Sequence, residues 1–165
     1  MKIMVIYDSL FGNTEKIAYS ITDSLVPSGN VRTFRVSHIR PDQLIGLDLL
    51  IVGSPTRAFR PTIEITGFLN KIPSTGLKGI KVVAFDTRLS NGADKKAVFT
   101  NIFTRQFGYA SKPIADKLVE KGGILVVSSK GFVVKDIEGP LKAGEIERAA
   151  DWAKTIVEKI KVSNE

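Results

Sequence analysis

The segment of residues 8–14 combines one glycine with several short polar side chains. It consists of Asp8-Ser9-Leu10-Phe11-Gly12-Asn13-Thr14 and follows an apolar run at residues 2–7. If a helix begins at its end, a tight turn around Gly12 directs backbone N–H groups into one small volume. Hydroxyl and amide groups of Ser9, Asn13 and Thr14 would add donors around the same point. Such a turn binds a phosphate dianion through dipoles; the alternative is that one of these side chains only caps the helix.

Several other kinds of site do not fit the composition or the motifs. A Walker loop needs Gly-Lys-Ser/Thr and a dinucleotide loop needs three spaced glycines, and segment 8–14 has neither. A phosphoacceptor receiver domain needs an aspartate at the end of its third strand, where this chain has Val52-Gly53-Ser54. The chain has no cysteine and one histidine, so we expect no disulfide, iron–sulfur ligation or metal site. Any redox chemistry would therefore need a bound organic cofactor.

Two further segments of unusual composition follow apolar runs. The first is Gly53-Ser54-Pro55-Thr56-Arg57-Ala58-Phe59-Arg60-Pro61-Thr62, and the second is Phe85-Asp86-Thr87-Arg88-Leu89-Ser90-Asn91-Gly92. Glycine in the first segment permits close backbone approach, and its two prolines stiffen it. An alternative is a rigid connector with Thr62 as a helix N-cap, which explains Pro61 and Thr62 but not Pro55, Arg57 and Phe59.

Apolar periodicity predicts strands and helices that alternate along the chain. The predicted strands are residues 2–7, 31–36, 47–52, 80–85 and 124–127, and the predicted helices are residues 14–25, 62–72, 110–121 and 144–160. The inward stripe of the last helix is predicted to be Ile146, Ala149, Ala150, Ala153, Ile156, Val157 and Ile160. This alternation predicts an α/β fold, with a doubly wound five-stranded parallel sheet and helices on both faces, formed by residues 1–165 as a single domain. Ligands bind such sheets at the carboxyl ends of the strands, where the three unusual segments would lie.

The 165 residues carry a net charge of +7, but the charge pattern does not favour nucleic acid. Basic residues are spread along the chain and alternate with acidic ones, and the densest stretches, at 78–81 and 95–96, lack interleaved aromatic residues. No apolar stretch approaches the roughly 18 residues of a membrane span, and the N-terminal apolar run is too short for a signal peptide. We expect a cytoplasmic protein with no membrane insertion.

Residues 7–18 form a recognisable motif. The segment Tyr7-Asp8-Ser9-Leu10-Phe11-Gly12-Asn13-Thr14-Glu15-Lys16-Ile17-Ala18 resembles the flavodoxin phosphate loop in its hydroxyl-x-x-Gly-Asn-Thr form, and the later loops extend the resemblance over nearly the whole chain. The resemblance implies a flavodoxin-like strand order, 2-1-3-4-5, and flavin mononucleotide (FMN) as cofactor. It implies that residues 9–14 hold the FMN phosphate and that the two later segments hold its isoalloxazine ring. The implied cofactor-binding residues are Ser9, Leu10, Phe11, Gly12, Asn13, Thr14, Pro55, Thr56, Arg57, Ala58, Phe59, Asp86, Thr87, Arg88 and Leu89.

Two departures from the family pattern concern the phosphate and the ring. Many flavodoxins have a further hydroxyl where this chain has Phe11, and they commonly stack a tyrosine and a tryptophan on the ring. Neither ring segment here contains Tyr or Trp, and we expect Trp152, on the last predicted helix, to serve packing. The candidates for covering the ring are Phe59, Leu89 and the guanidinium of Arg57, Arg60 or Arg88.

The three arginines of the ring segments could also change the redox potential. Most flavodoxins surround the ring with acidic groups, whereas this chain offers Arg57, Arg60 and Arg88. One guanidinium at the pyrimidine edge would stabilise the negative charge of reduced flavin by about 1–2 kcal/mol, which raises a one-electron potential by roughly 40–90 mV. We therefore predict a weaker reductant than typical flavodoxins. The alternative is that these arginines face solvent or pair with Glu64 and Asp86.

The resemblance implies an FMN-binding electron-transfer protein without catalytic residues of its own. One alternative is an FMN-dependent NAD(P)H or quinone oxidoreductase, and another is a flavin-free binding module that retains the fold. Because basic proteins associate fastest with acidic ones, we expect an acidic redox partner protein, such as a ferredoxin-like protein.

Overall fold

Parallel strands form the central sheet of the computed structural model, which describes residues 1–90 and 108–163. In this part of the chain the strands are β1 (Lys2–Tyr7), β2 (Asn30–Arg35), β3 (Leu49–Pro55), β4 (Lys81–Leu89), β5 (Ile124–Leu125) and β6 (Lys130–Val134). Their order is β2-β1-β3-β4-β5, with β6 also paired to β4, and every pair is parallel. The predicted α/β class and strand order are confirmed.

Helices cover both faces of the sheet. They are α1 (Asn13–Leu25), α2 (Ile63–Lys71), α3 (Ser111–Glu120) and α4 (Glu145–Val162). Side chains of α1 and α4 share one buried cluster with the sheet, and side chains of α2 and α3 share another. Because β3 lies between both layers, its residues from Leu49 to Ser54 are all buried, which is typical of a central strand in a parallel sheet.

Two predicted strands are longer than their apolar runs indicated. β3 ends at Pro55, and β4 ends at Leu89 rather than at residue 85. The segment from Asp86 to Leu89 is therefore strand, and its prediction as a loop was wrong. The physical reason is long-range pairing, since Pro55 lies opposite Thr87 and Leu89 lies opposite Val134.

The fifth position of the sheet is occupied by two short strands instead of one. Val82 pairs with Leu125, and Phe85 pairs with Lys130. Residues 83–84 of β4 therefore face residues 126–129, so a bulge with two extra residues separates β5 from β6. The strand predicted for residues 124–127 ends at Leu125 in the structure. Strand β6 continues the sheet toward its carboxyl end by pairing with residues 85–89 of β4.

Helix α4 differs from its predicted stripe at one end. Ile146, predicted to face inward, is exposed beside Tyr19 of α1, and Ala150 is only partly buried. The other predicted inward residues are buried, and Trp152 joins them. Its ring lies 6.4 Å from that of Phe85 and 5.9 Å from that of Phe132, so its expected packing role is confirmed. The first turn of α4 instead directs Glu145 toward β6, because the β6 backbone supplies a hydrogen-bond donor there.

Within residues 1–90 and 108–163, no helix has the length and apolar character to cross a membrane. The cytoplasmic location stays a prediction.

Candidate ligand-binding site

A cleft of about 310 Å³ lies at the carboxyl end of the sheet. It sits where the strand order reverses, because β1 pairs with β2 on one side and with β3 on the other. Its walls come from the segment after β1 and from the ends of β3, β4 and β6. The lining residues are Ser9, Leu10, Phe11, Asn13, Thr14, Pro55, Thr56, Arg57, Ala58, Thr87, Arg88, Leu89, Val134 and Ile137.

Most of the predicted cofactor-binding residues therefore surround one cleft. The exceptions are Gly12, which forms the turn itself, Phe59, which lies in the neighbouring turn, and Asp86, which is completely buried. The end of the second ring segment, residues 91–92, lies outside the described residues. Val134 and Ile137 line the cleft but were not predicted as site residues, because only the pairing of β6 with β4 brings them there.

The turn before α1 leaves several backbone donors available. Gly12 has φ +87°, a left-handed conformation that favours glycine, and a Cβ there would meet no atom within 4 Å. The Ser9 hydroxyl accepts hydrogen bonds from the N–H groups of Gly12, at 3.1 Å, and Glu15, at 3.3 Å, while Gly12 itself occupies the N-cap position. Among the described residues, the other N–H groups of this turn have no acceptor: those of Leu10, Phe11, Asn13 and Thr14. This donor set suits a phosphate dianion.

A buried hydroxyl pair joins this turn to the end of β4. Thr14 Oγ1 lies 2.7 Å from Thr87 Oγ1, and both residues are buried. The Thr87 carbonyl in turn accepts a hydrogen bond from the Thr56 N–H at 2.8 Å. Residues from three separate segments of the sequence are therefore held together at the base of the cleft.

Charged groups support the turn from beneath. Asp8 accepts a hydrogen bond from the Ser9 N–H at 2.9 Å and lies 3.6 Å from Arg35 Nε on β2. Arg35 also donates to the Ser9 carbonyl. Asp8 thus bonds the neighbouring backbone. Burial, followed by the hydrogen bond that its hydroxyl donates to Glu15 at 2.6 Å, raises the pKa of Tyr7.

Residues 57–60 form a two-residue hairpin turn at the mouth of the cleft. The N–H and carbonyl groups of Arg57 and Arg60 exchange hydrogen bonds of 2.9 Å. Ala58 and Phe59 between them both have positive φ, +45° and +68°, which costs on the order of 1 kcal/mol for each non-glycine residue. After this turn, Thr62 caps α2 by accepting a hydrogen bond from the Ile65 N–H, so the connector alternative holds for Thr62. A turn held against its backbone preference is typical of a binding site.

The arginines of the ring segments differ in their surroundings. Arg88 pairs with Asp86 and stacks on the Tyr109 ring at 3.5 Å, so the alternative of ion pairing holds for this arginine. Arg57 is exposed at the cleft, with its guanidinium 5.9 Å from the centre of the Phe11 ring. Arg60 is also exposed, and no ion pair of Arg57 or Arg60 occurs within residues 1–90 and 108–163.

Exposed apolar side chains surround the opening. Large apolar residues normally lie inside a protein, but four that line this cleft are exposed: Leu10, Phe11, Leu89 and Ile137. Together with the polar turn at one end, this rim suits a ligand with one anionic end and one flat, partly apolar end.

Comparisons with known proteins agree with the fold. No protein family model matches the chain. A flavodoxin from Clostridium beijerinckii is 36% identical over 84 residues, so the match spans 49% of this chain and 60% of that relative. A solved flavodoxin from Streptococcus pneumonia TIGR4 is 18% identical, with a TM-score of 0.75, and covers 96% of this chain and 99% of its own. Flavodoxin 2 from Bacillus cereus is 24% identical, with a TM-score of 0.74, and covers 96% and 99%. The chain thus resembles a flavodoxin in sequence over about half of its length, and it shares the strand order and fold of the solved flavodoxins, as predicted.

Proposed function

We propose that this protein binds FMN non-covalently in the cleft and uses it to transfer electrons. The likeness to flavodoxins implies this cofactor. The observation that carries the proposal is the convergence of three polar segments on one cleft, with backbone donors grouped around Gly12. Each segment follows or ends a different strand, and they meet at the point where the strand order reverses.

The residues present fit both ends of FMN. Segment 8–14 contains no lysine or arginine, so a phosphate there would be held by N–H groups and by the hydroxyls of Ser9 and Thr14. The cleft volume of about 310 Å³ lies within the range of small-ligand sites. The apolar rim matches a flat ring system, and the missing hydroxyl at Phe11 leaves the backbone donors in place.

Bound FMN supplies one- and two-electron redox chemistry, and the protein supplies binding and surroundings. We assign phosphate binding to Ser9–Thr14, and ring binding to residues 55–58 and 87–89. The apolar rim excludes water from the ring, and Arg57 provides an exposed positive charge beside it. The cleft lining that the structure describes includes no carboxylate, histidine or lysine, which supports an electron carrier over an enzyme with acid–base chemistry.

Flavin titration tests the proposal. Protein stripped of ligand is titrated with FMN, with riboflavin and with inorganic phosphate, followed by visible absorbance and calorimetry. We expect a visible spectral shift with FMN, and riboflavin bound about 100-fold more weakly because it lacks the phosphate. Absence of heat and of spectral change with FMN would contradict the proposal.

The surface charge supports an acidic redox partner protein. The chain carries a net charge of +7, and the exposed Arg57 and Arg60 stand beside the cleft. Attraction between opposite charges accelerates association and weakens as salt screens it. Electron transfer to an acidic ferredoxin-like protein should therefore slow as ionic strength rises, which stopped-flow measurement checks. Rates that do not depend on salt would argue against this partner.

A further inference from the structure

We propose that residues 134–139, here called the covering turn, form the wall of the flavin site that follows β6, and that Asn13 fastens this wall to the phosphate turn. The inference rests on the proposed FMN binding and extends it. It assigns a ring-covering role to Ile137 and a positioning role to Asn13, whose side chain would act through the covering turn.

The covering turn already contributes to the cleft. Val134 and Ile137 both line it, Val134 as a buried residue and Ile137 with 60% of its surface exposed. A large apolar side chain that is exposed yet lines a cleft gains most from a ligand that covers it. Residues 53–62 and 85–90 contain no tyrosine or tryptophan to stack on a ring. Ile137 therefore adds to the apolar surface that Leu89 offers, in a site whose two ring segments have no tyrosine or tryptophan.

Hydrogen bonds within the covering turn hold its shape. The Lys135 N–H donates to the Pro140 carbonyl at 2.9 Å, and the Gly139 N–H donates to the Asp136 carbonyl at 2.9 Å. The Ile137 N–H donates to Asp136 Oδ1 at 2.7 Å. Ile137 is thus held by a closed loop of backbone, which reduces the entropy lost when a ligand orders it.

The base of the covering turn is anchored to β6 and α4. Val133, the residue before the turn, accepts a hydrogen bond from the Lys142 N–H at 2.8 Å. The Val133 N–H donates to Glu145 Oε2 at 2.6 Å, and Arg148 donates to the same carboxylate. Both ends of the covering turn are therefore attached to neighbouring elements of the fold.

Asn13 joins the covering turn to the phosphate turn. Its Nδ2 donates to the Glu138 carbonyl at 3.1 Å, across 125 positions of sequence. Gly139 permits this contact, because a Cβ there would lie 2.7 Å from both Nδ2 and Oδ1 of Asn13, and its φ of +107° also favours glycine. Asn13 is the first residue of α1 and directly follows Gly12. The same residue therefore belongs to the phosphate turn and positions the covering turn.

Riboflavin has no phosphate, so its affinity distinguishes a role of Asn13 in positioning the covering turn from a role in direct phosphate binding. The test measures dissociation constants of FMN and riboflavin for Asn13→Ala, Ile137→Ala and the double variant. We expect Ile137→Ala to weaken both flavins about five- to tenfold through lost apolar contact. Asn13→Ala should also weaken riboflavin, and the double variant should lose less than the product of the two single effects. Matched controls are Ile45→Ala and Asn70→Ala, which alter exposed residues outside the cleft.

A second readout needs no flavin. In ligand-free protein, Asn13→Ala should accelerate amide hydrogen exchange at residues 135–139 relative to wild type and to Asn70→Ala. If Asn13→Ala weakens only FMN, and exchange at these residues is unchanged, Asn13 does not position the turn and the proposal is wrong. If the wild-type protein binds both flavins and Ile137→Ala binds them with the same affinities, this inference is wrong, while the proposed function still stands. Failure of wild-type protein to bind either flavin overturns the proposed function as well.

Discussion

Arg88 and Asp86 form a two-point ion pair at the edge of the cleft. Arg88 Nε and Nη2 each lie 2.6 Å from a different oxygen of Asp86, which is completely buried. The Ser111 N–H donates to the same carboxylate at 2.9 Å. Gly131 leaves the space that this arginine occupies, since a Cβ there would overlap the guanidinium. The charge of Arg88 is thus balanced inside the protein.

Removing one member of this pair should destabilise the fold. Arg88→Gln leaves the Asp86 carboxylate buried without its cation, so we expect a loss of about 2–4 kcal/mol in the free energy of unfolding. The double variant Asp86→Asn/Arg88→Gln removes both charges and should recover part of the lost free energy of unfolding. Urea denaturation measures both, with Arg40→Gln as a control because Arg40 and Asp42 pair on the surface. Equal stability of the single and double variants would contradict the buried-charge explanation.

The redox effect predicted for the ring-segment arginines now rests on Arg57. Because Arg88 is neutralised and Arg57 is exposed, we expect a smaller effect than three unpaired arginines would produce, of about 0.5–1 kcal/mol. Arg57→Gln should lower the one-electron potential of the bound flavin by roughly 20–40 mV. A redox titration checks this against Arg40→Gln, a surface arginine outside the cleft lining. An unchanged or raised potential would show that Arg57 does not act on the ring.

Glu145 should make stability depend on acid pH. Burial alone would raise the pKa of this carboxyl, but the Arg148 hydrogen bonds and the Val133 N–H bring it below its ordinary value of 4.5. A lowered pKa stabilises the fold above the unfolded value, and that contribution is lost as pH falls below about 4.5. Glu145→Gln should therefore cost about 1–3 kcal/mol at pH 7 and less at pH 3.5.

Urea denaturation at several pH values measures this dependence. Glu158→Gln is the matched control, because Glu158 is an exposed residue of the same helix. A destabilisation by Glu145→Gln that is the same at pH 7 and pH 3.5 would exclude the carboxylate charge as its cause.

Gly12 and Gly79 offer a matched test of the phosphate turn. Both have positive φ, +87° and +82°, and a Cβ at either position would meet no atom within 4 Å. Alanine at each position should cost about 1 kcal/mol of stability through backbone strain. Only Gly12→Ala should also weaken FMN, by at least tenfold, because the turn presents its donors through this backbone. Equal FMN affinity of the two variants in calorimetry would remove the assigned role of the turn.

Local patterns of sequence determined the element types, the parallel fold and the turn around Gly12. Periodicity, a single glycine and short polar residues act through neighbouring backbone, so they can be recognised without knowledge of distant contacts. The strand order followed from the resemblance to flavodoxins, and the structure confirms it. The flavin contacts of the individual site residues stay predictions.

Tertiary structure decided where the strands end, which arginine of the two ring segments forms an ion pair, and which residues close the cleft. β4 extends to Leu89 because β6 pairs with it, and that pairing skips two residues that no local pattern marks. Arg88 meets Asp86 two positions away because both lie on one face of an extended strand. The pairing of β6 with β4 brings Ile137 to the cleft, and the carbonyl of the next residue, Glu138, accepts a hydrogen bond from Asn13, 125 positions away. Contacts between distant residues depend on the whole fold, so a local sequence pattern does not predict them.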